Sequence, residues 1–302
     1  MTRVGVAKTY KLYIGGAFPR SESGRTYPVL DATGAFAANV AQGSRKDVRD
    51  AVAAARKAFG GWSRQTAYNR GQVIYRIAEM LEGRRAQFVE LLRTAPAGPD
   101  AAGALDPVVA VDAAIDRLVH YAGWTDKLAA AFGSANPVAG PYFSFTTPEP
   151  TGVVGAIAPA DPLLGLIDVI APAIAGGNTV VVIADAQRPL PAVTLAEALA
   201  TSDVPGGVVN VLTGFAAEML PVLAAHADVN ALDLTGVAGP AELDLRVAAE
   251  RAAADTVTRV YVPPAGRSLL APPGTSRLRA FLEFKTVWHP TGAVSLAGGG
   301  GY

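Results

Sequence analysis

GVVGAIAPADPLLGLIDVIAPAIAGGNTVVV, residues Gly152–Val182, decides the fold. Two apolar runs, Val153–Ala158 and Thr179–Ile183, flank a stretch interrupted by Pro159, Asp161, Pro162, Asp168, Pro172 and Gly176–Gly177. That many breakers argue against a membrane span, and the pattern reads as strand, turn, helix, turn, strand, buried on both faces. The first helix runs from about Pro162 to Ala175. The alternation continues C-terminally: helix Pro191–Ala200, strand Val208–Leu212, helix Ala216–Ala225, strand Ala231–Leu234, helix Pro240–Ala254 and strand Thr258–Val262. Five short apolar strands alternating with helices predict an α/β fold, a parallel, doubly wound, Rossmann-like sheet covered on both faces.

N-terminal to this unit, Lys11–Phe18 reads as a strand with a Gly-Gly hairpin. Ser44 with Asp47 resembles a capping box, followed at helical spacing by Val48, Ala51, Val52, Ala55 and Phe59. A second helix from about Thr66 carries Val73, Ile74, Ile77, Met80, Leu81, Phe88, Leu91 and Leu92 on its buried stripe. A third opens at Asp106-Pro107, a cap followed by proline at the first helical position, and presents Ile115, Leu118, Val119 and Leu128. Thr94–Pro107 reads as a flexible connection, Pro141–Thr147 as a β-rich run and Pro263–Ser276 as a Pro/Gly-rich linker or extended crossing. Arg279–Pro290 regains strand propensity, and the tail Thr291–Tyr302 reads as mobile.

The chain of 302 residues has 26 basic and 26 acidic side chains, so neither its charge nor a basic patch suggests a nucleic-acid partner. Half of the residues are hydrophobic and 17% are charged, which argues against disorder. There is no cysteine, which removes disulfides, thiolate metal sites and any cysteine nucleophile. The three histidines, His120, His226 and His289, are far apart and lack metal-ligand spacing. No secretory signal is read at the N-terminus, so the expected location is cytoplasmic, with no membrane partner.

Gly152–Val182, Val204–Gly214 (VPGGVVNVLTG) and Asp233–Gly236 (DLTG) together resemble the cofactor-domain core of the NAD(P)-dependent aldehyde dehydrogenases. RKDVRDAVAAARKAFGGWS and TAYNRGQVIYRIAEML resemble that family's leading helices, and Leu282–Pro290 (LEFKTVWHP) its C-terminal arm. The wording of the N-terminal third and of the arm is most similar to the second, degenerate copy in family-16 aldehyde dehydrogenases. The resemblance spans almost all of residues 8–290, with its motifs in the family's order.

The departures point away from the family's chemistry. The resemblance implies a cysteine thiolate that attacks the aldehyde carbon, and hydride transfer to NAD; this chain has no cysteine. The family's general-base glutamate falls within Thr258–Gly266, near Pro263. Its Pro-Trp-Asn-Phe-Pro motif, which gives an asparagine donor to the oxyanion, is here Pro159-Ala160-Asp161-Pro162. A carboxylate there repels an oxyanion. The family's Lys-Pro-x-Glu, which holds the adenosine ribose, is Ile183-Ala184-Asp185-Ala186, and its Phe-Thr-Gly-Ser is Leu234-Thr235-Gly236-Val237. Vestigial cofactor candidates are therefore Asp161, Gly214, Thr235 and Gly236. Gly236 and the following helix start retain backbone N–H groups able to meet a phosphate. No cofactor is expected, beyond weak NAD or NADP binding, and no metal. The family's catalytic domain, about 200 residues by ordinary domain size, is replaced by Pro263–Leu278.

The expected organisation is a cofactor-type domain over 1–262, with 141–150 as an oligomerisation strand, a linker over 263–278, and an arm and tail over 279–302. In the family the two arm strands form a protruding sheet that pairs with a neighbouring subunit's catalytic domain. They correspond here to Tyr142–Thr147 and Phe281–Trp288, making Tyr142, Phe143, Phe145, Phe281, Phe284, Val287 and Trp288 the expected interface. Exposed edges and aromatics of this kind need a cover. The expected partner is a full-length aldehyde dehydrogenase subunit, and the expected function that of a catalytically inactive structural or regulatory subunit. The alternatives are aldehyde oxidoreductase activity only within a complex, or a nucleotide-binding sensor. The plainer expectations are a helix cap for Asp161, a solvated or paired helix residue for Asp168, and a turn role for Asp185. His120 reads as a helix-face residue, His226 as a helix terminator and His289 as a surface or interface residue.

Overall fold

The computed structural model describes residues 8–96 and 105–291 of the chain. Part of the Thr94–Pro107 connection and all but the first residue of the expected tail lie outside these. Five parallel strands, β5 (Val153–Ile157), β6 (Thr179–Ile183), β7 (Val209–Leu212), β8 (Ala231–Asp233) and β9 (Arg259–Tyr261), form one sheet in the order β7-β6-β5-β8-β9. The chain starts at β5, builds outward to β7, then crosses back to lay β8 and β9 on the other side. The strand order therefore reverses between β5 and β8.

Alternating side chains feed two cores, one on each face, as a doubly covered sheet requires. Val154, Ala156, Val180 and Val182 face the first, built from α2 (Ala67–Glu82), α4 (Pro107–Ala122), α6 (Leu164–Ala175) and α7 (Leu190–Leu199). Val153, Ile157, Val181 and Ile183 face the second, built from α1 (Arg45–Ser63), α8 (Ala216–Ala224) and α9 (Leu243–Asp255). A methyl group at Gly155 would lie 2.9 Å from both Leu223 and Leu232, so glycine lets α8 approach the sheet.

The capping box is formed: the Ser44 hydroxyl accepts from the Asp47 amide at 3.3 Å, and the Asp47 carboxylate from the Ser44 amide at 2.8 Å. Asp106 likewise accepts from the Val108 amide at 2.8 Å at the start of α4. Several expected boundaries shift. The second helix ends at Gly83 and resumes as α3 (Arg85–Thr94), so Phe88 belongs to a separate element. Val119 is exposed, because the buried face of α4 runs through Val111, Ala114, Leu118 and Tyr121. Leu128 lies beyond α4, in the short α5 (Leu128–Phe132). Two 3₁₀ turns, Thr235–Val237 and Pro240–Glu242, precede α9.

Lys11–Phe18 is not a regular strand. It makes a tight turn on Gly15 and Gly16, both at positive φ, and Tyr13 exchanges two backbone hydrogen bonds with Val211 at 2.9 and 2.8 Å. The segment thereby covers the outer edge of β7. The hairpin β1 (Thr26–Leu30) and β2 (Phe36–Ala41) was not foreseen.

A second sheet stands apart, ordered β10-β4-β3: β3 (Ser134–Asn136), β4 (Tyr142–Pro150) and β10 (Leu282–Pro290). The nine residues of β10 pair antiparallel with the nine of β4, from Leu282 opposite Pro150 to Pro290 opposite Tyr142. No helix among the described residues is long and apolar enough to cross a membrane.

Candidate functional site

In an open α/β sheet, ligands enter outside the carboxyl ends of the strands, at the point where the strand order reverses. Here that point lies beyond β5 and β8, and the chain's own carboxylates line it. Asp161 Oδ1 accepts from the amides of Leu163 and Gly165, both at 3.1 Å, and so closes the start of α6. Asp233 Oδ1 accepts from the Thr235 amide at 3.1 Å and from the Thr235 hydroxyl. At the end of β6, Asp185 accepts from the Gln187 amide at 3.0 Å and pairs with Arg188 at 3.0 Å. The turn role of Asp185 is that expected, whereas Asp161 is not the N-cap: α6 starts at Leu164 instead of Pro162, its N-cap is Leu163, and Asp161 reaches the first turn from two residues further out.

Of the vestigial candidates, Asp161 follows β5 and Thr235 and Gly236 follow β8, at the carboxyl ends of neighbouring strands. A methyl group at Gly236 would lie 2.2 Å from the Ala158 carbonyl oxygen, so this turn is pressed against the end of β5. Gly214 lies elsewhere, beyond β7, where φ is +128° and a methyl group would meet the Gly43 amide at 3.0 Å. Val237, where the resemblance implies a serine, is buried in the second core.

Asp168 is the center of a charge cluster that the sequence did not reveal. It is fully buried on α6, a helix with no exposed residue. Arg117 from α4 pairs with its Oδ1, Arg267 donates to both of its oxygens at 2.6 and 3.0 Å, and Arg277 donates to its Oδ2 at 2.8 Å and to its backbone carbonyl at 2.7 Å. Burial pushes the Asp168 carboxyl up, but the Arg267 hydrogen bonds and the charges of Arg277 and Arg117 outweigh it, leaving the pKa below the usual carboxylate range. Arg277 continues into the crevice: Nη2 donates to the Thr235 hydroxyl at 2.9 Å, and Nε faces Asp233 Oδ2 at 3.4 Å without a hydrogen bond. Burial dominates at Asp233 and raises its pKa, against the pull of Arg277. Tyr121, beside the cluster, is pushed up to about 12 by burial and then by the Asp168 charge.

The histidines stay apart. His120 packs edge-on against Tyr121 at 5.1 Å, and burial, followed by the Arg117 charge, lowers its pKa. His226 Nδ1 accepts from the Asp228 amide just past α8. His289 lies opposite Phe143 at the end of the arm. Among the described residues, no group of three metal-ligating side chains of His, Cys, Asp or Glu type converges.

In the arm, the register places Phe143, Phe145 and Val287 on one face and Tyr142, Phe284 and Trp288 on the other. Tyr142 and Trp288 meet edge to face at 6.0 Å. Phe281 departs from expectation. It precedes β10 at the end of the short helix α10 (Ser276–Ala280) and is fully buried in the first core, against Tyr261 at 6.0 Å. It is the root of the arm and no part of its surface. Because β4 separates β10 from β3, the outer border of β10 has no strand against it among the described residues.

The aldehyde dehydrogenase family profile matches residues 18–266. The chain belongs to the aldehyde dehydrogenase family. It is 37% identical over 243 residues to the mitochondrial aldehyde dehydrogenase family 2 member B4 of Arabidopsis thaliana, spanning 79% of this chain and 44% of the relative. Retinal dehydrogenase 2 of Gallus gallus is 36% identical over 76% of this chain and 44% of its own length. The structure of a Bacillus cereus aldehyde dehydrogenase in complex with NAD+ superposes with a TM-score of 0.76 at 30% identity, over 84% of this chain and 50% of that one. This aldehyde dehydrogenase homologue thus spans about half the length of the relatives it matches.

Sequence reading missed Arg117, Arg267, Arg277 and Asn178. A signal existed: Asp168 is the one ionisable residue in the apolar run Leu163–Ala175, and a charge buried there requires partners. Which arginines would supply them depends on the crossing segment, whose path carries no periodicity.

Proposed function

We propose that the chain is a catalytically inactive aldehyde dehydrogenase-like subunit that assembles with a full-length member of its family. The observation that carries this is the arm. Its three-stranded sheet keeps nine paired residues, aromatic side chains on both faces and an outer border that no strand among the described residues covers. A border of that kind is a template for a strand from another chain. The absence of cysteine supports the inactive half of the proposal, since a family member's chemistry starts from a thiolate. So does Asp161, a carboxylate seated where the resemblance implies an oxyanion donor.

The neighbouring Bacillus cereus structure holds NAD+, which makes that dinucleotide the ligand to consider. The residues present do not fit it. The amides at the start of α6 and at Thr235 are already taken by Asp161 and Asp233, and a pyrophosphate would meet these carboxylates as like charges.

The test is light scattering coupled to gel filtration, on the chain alone and mixed with a full-length aldehyde dehydrogenase from the same source, with NAD+-dependent aldehyde oxidation followed in parallel. The expected result is a stoichiometric complex that Trp288→Ala or Phe284→Ala weakens, with no turnover by the chain alone. A stable monomer indifferent to the full-length enzyme overturns the assembly half, and turnover by the pure chain overturns the inactive half.

A further inference from the structure

The crossing segment is fastened along its length. Arg117 Nη2 donates to the Leu269 and Ala271 carbonyls at 2.5 and 3.3 Å, and Leu269 packs against the first core. Arg267 anchors the near end on Asp168 and Arg277 the far end. The Arg277 guanidinium lies 5.0 Å from the ring center of Tyr261, over β9, and reaches Thr235 beyond β8.

From this geometry we infer that Pro263–Phe281 is a built-in strap, latched on Asp168, whose Arg277 fills the crevice between the ends of β5 and β8 and excludes a dinucleotide from it. Three features support this. The strap's two arginines converge on one fully buried carboxylate, so it is seated at its core side and not merely draped over the surface. Arg277 is itself buried, 3% exposed, and hydrogen-bonds the hydroxyl of the residue that opens the turn after β8, so its guanidinium is wedged between α6 and that turn. The third arginine comes from α4 and holds the strap's backbone, so the latch joins three separate parts of the chain. Removing one partner from a buried ion cluster leaves uncompensated charge, which makes closure depend on Asp168.

The inference rests on the proposal that the chain is inactive, but its test is independent of assembly. Limited proteolysis with an enzyme that cuts at the Leu269–Leu270 bond reads whether the strap is seated, and the melting midpoint with and without NAD+ reads whether the crevice is open. The wild-type bond is expected to resist cleavage, and NAD+ to leave the wild-type midpoint unchanged. Asp168→Ala, and Arg267→Ala at the partly exposed end of the latch, are expected to speed cleavage by at least about tenfold while the far-UV circular dichroism of the sheet and helices is retained. Arg267→Ala keeps the test valid if Asp168→Ala does not fold. A raised wild-type midpoint in NAD+ with the bond still protected overturns the plug, and unchanged cleavage in Arg267→Ala overturns the latch. A chain that fails to bind a full-length enzyme yet keeps a protected strap refutes the assembly proposal alone.

Discussion

Asn178 Nδ2 donates to the backbone carbonyl of Phe281 at 2.9 Å, joining the turn after α6 to the root of the arm. The same side chain donates to the Ala173 carbonyl at 3.1 Å and accepts from the Gly152 amide at 2.9 Å, all out of contact with water. One buried amide therefore satisfies the end of α6, the start of β5 and the launch of β10. Arg259 holds the arm from the other side, donating to the Ala280 and Leu282 carbonyls at 3.0 and 2.7 Å. The arm's direction is fixed by one buried amide and one partly exposed guanidinium of the parent domain, which suits a sheet that projects beyond it.

Asn178→Ala leaves the Gly152 amide unpaired in the interior and takes one of two donors from each of the Ala173 and Phe281 carbonyls. A buried group without its partner costs about 1–3 kcal/mol, so the midpoint of urea unfolding should fall clearly, and the amides of β10 should exchange with solvent faster. Unchanged exchange in β10 would show that Asn178 does not hold the arm.

Phe281 and Trp288 lie on the same short stretch and should behave oppositely. Phe281→Ala opens a cavity in the first core and should cost about 3–5 kcal/mol, because its ring is fully buried. Trp288 is 59% exposed, so Trp288→Ala should change stability of the isolated chain by no more than about 0.5 kcal/mol. Thermal unfolding of the two variants decides the matter: equal losses would contradict the division between root and surface.

The central sheet was readable from sequence because each strand is short, apolar and bounded by turn residues, and because both of its faces are covered, so no polar alternation blurs it. The helix starts at Ser44 and Asp106 were readable because a cap is local chemistry. The β1–β2 hairpin had a signal that went unread: Asp31 accepts from the amides of Thr33 and Ala35 at 2.8 and 3.0 Å, the self-closing turn expected of Asp-Ala-Thr-Gly between two β runs. The Asp168 cluster had a local signal only for its acid, alone in the apolar run Leu163–Ala175, and none for its partners. Arg117, Asp168, Arg267 and Arg277 are scattered over three segments, and only the tertiary path of the strap makes them neighbours. Phe281 was misassigned for a related reason. Its β-favouring neighbours merge it with the strand, whereas α10 turns it inward one residue before pairing begins.

Gly155 tests the packing of the second core. A methyl group there already meets Leu223 and Leu232 at 2.9 Å, and both lie on opposite sides of the contact between α8 and β8. Gly155→Val should therefore cost about 1–3 kcal/mol or more through overpacking, despite the higher β-propensity of valine. An equally stable valine variant in urea unfolding would mean that α8 shifts freely on the sheet.

The acid response of the chain should turn on Asp168. Its folded pKa lies below the ordinary value, so it contributes stability that is fully present above the unfolded carboxylate pKa, about 3.9, and is lost as pH falls through the folded value. Asp233 acts in the opposite sense: with its folded pKa raised, it costs stability at neutral pH, and that cost disappears as acid protonates the carboxyl in both states. Asp168→Asn keeps the side chain's size and removes only the first contribution. With three arginines left around a neutral amide, the variant should lose about 3–5 kcal/mol at pH 7. The gap to wild type should hold until pH falls to about 4 and narrow below it, as the wild-type carboxyl begins to protonate. Urea unfolding followed by circular dichroism across this pH range measures the gap directly. A gap that is absent at pH 7, or that widens in acid, would show that the arginines do not depend on the Asp168 charge.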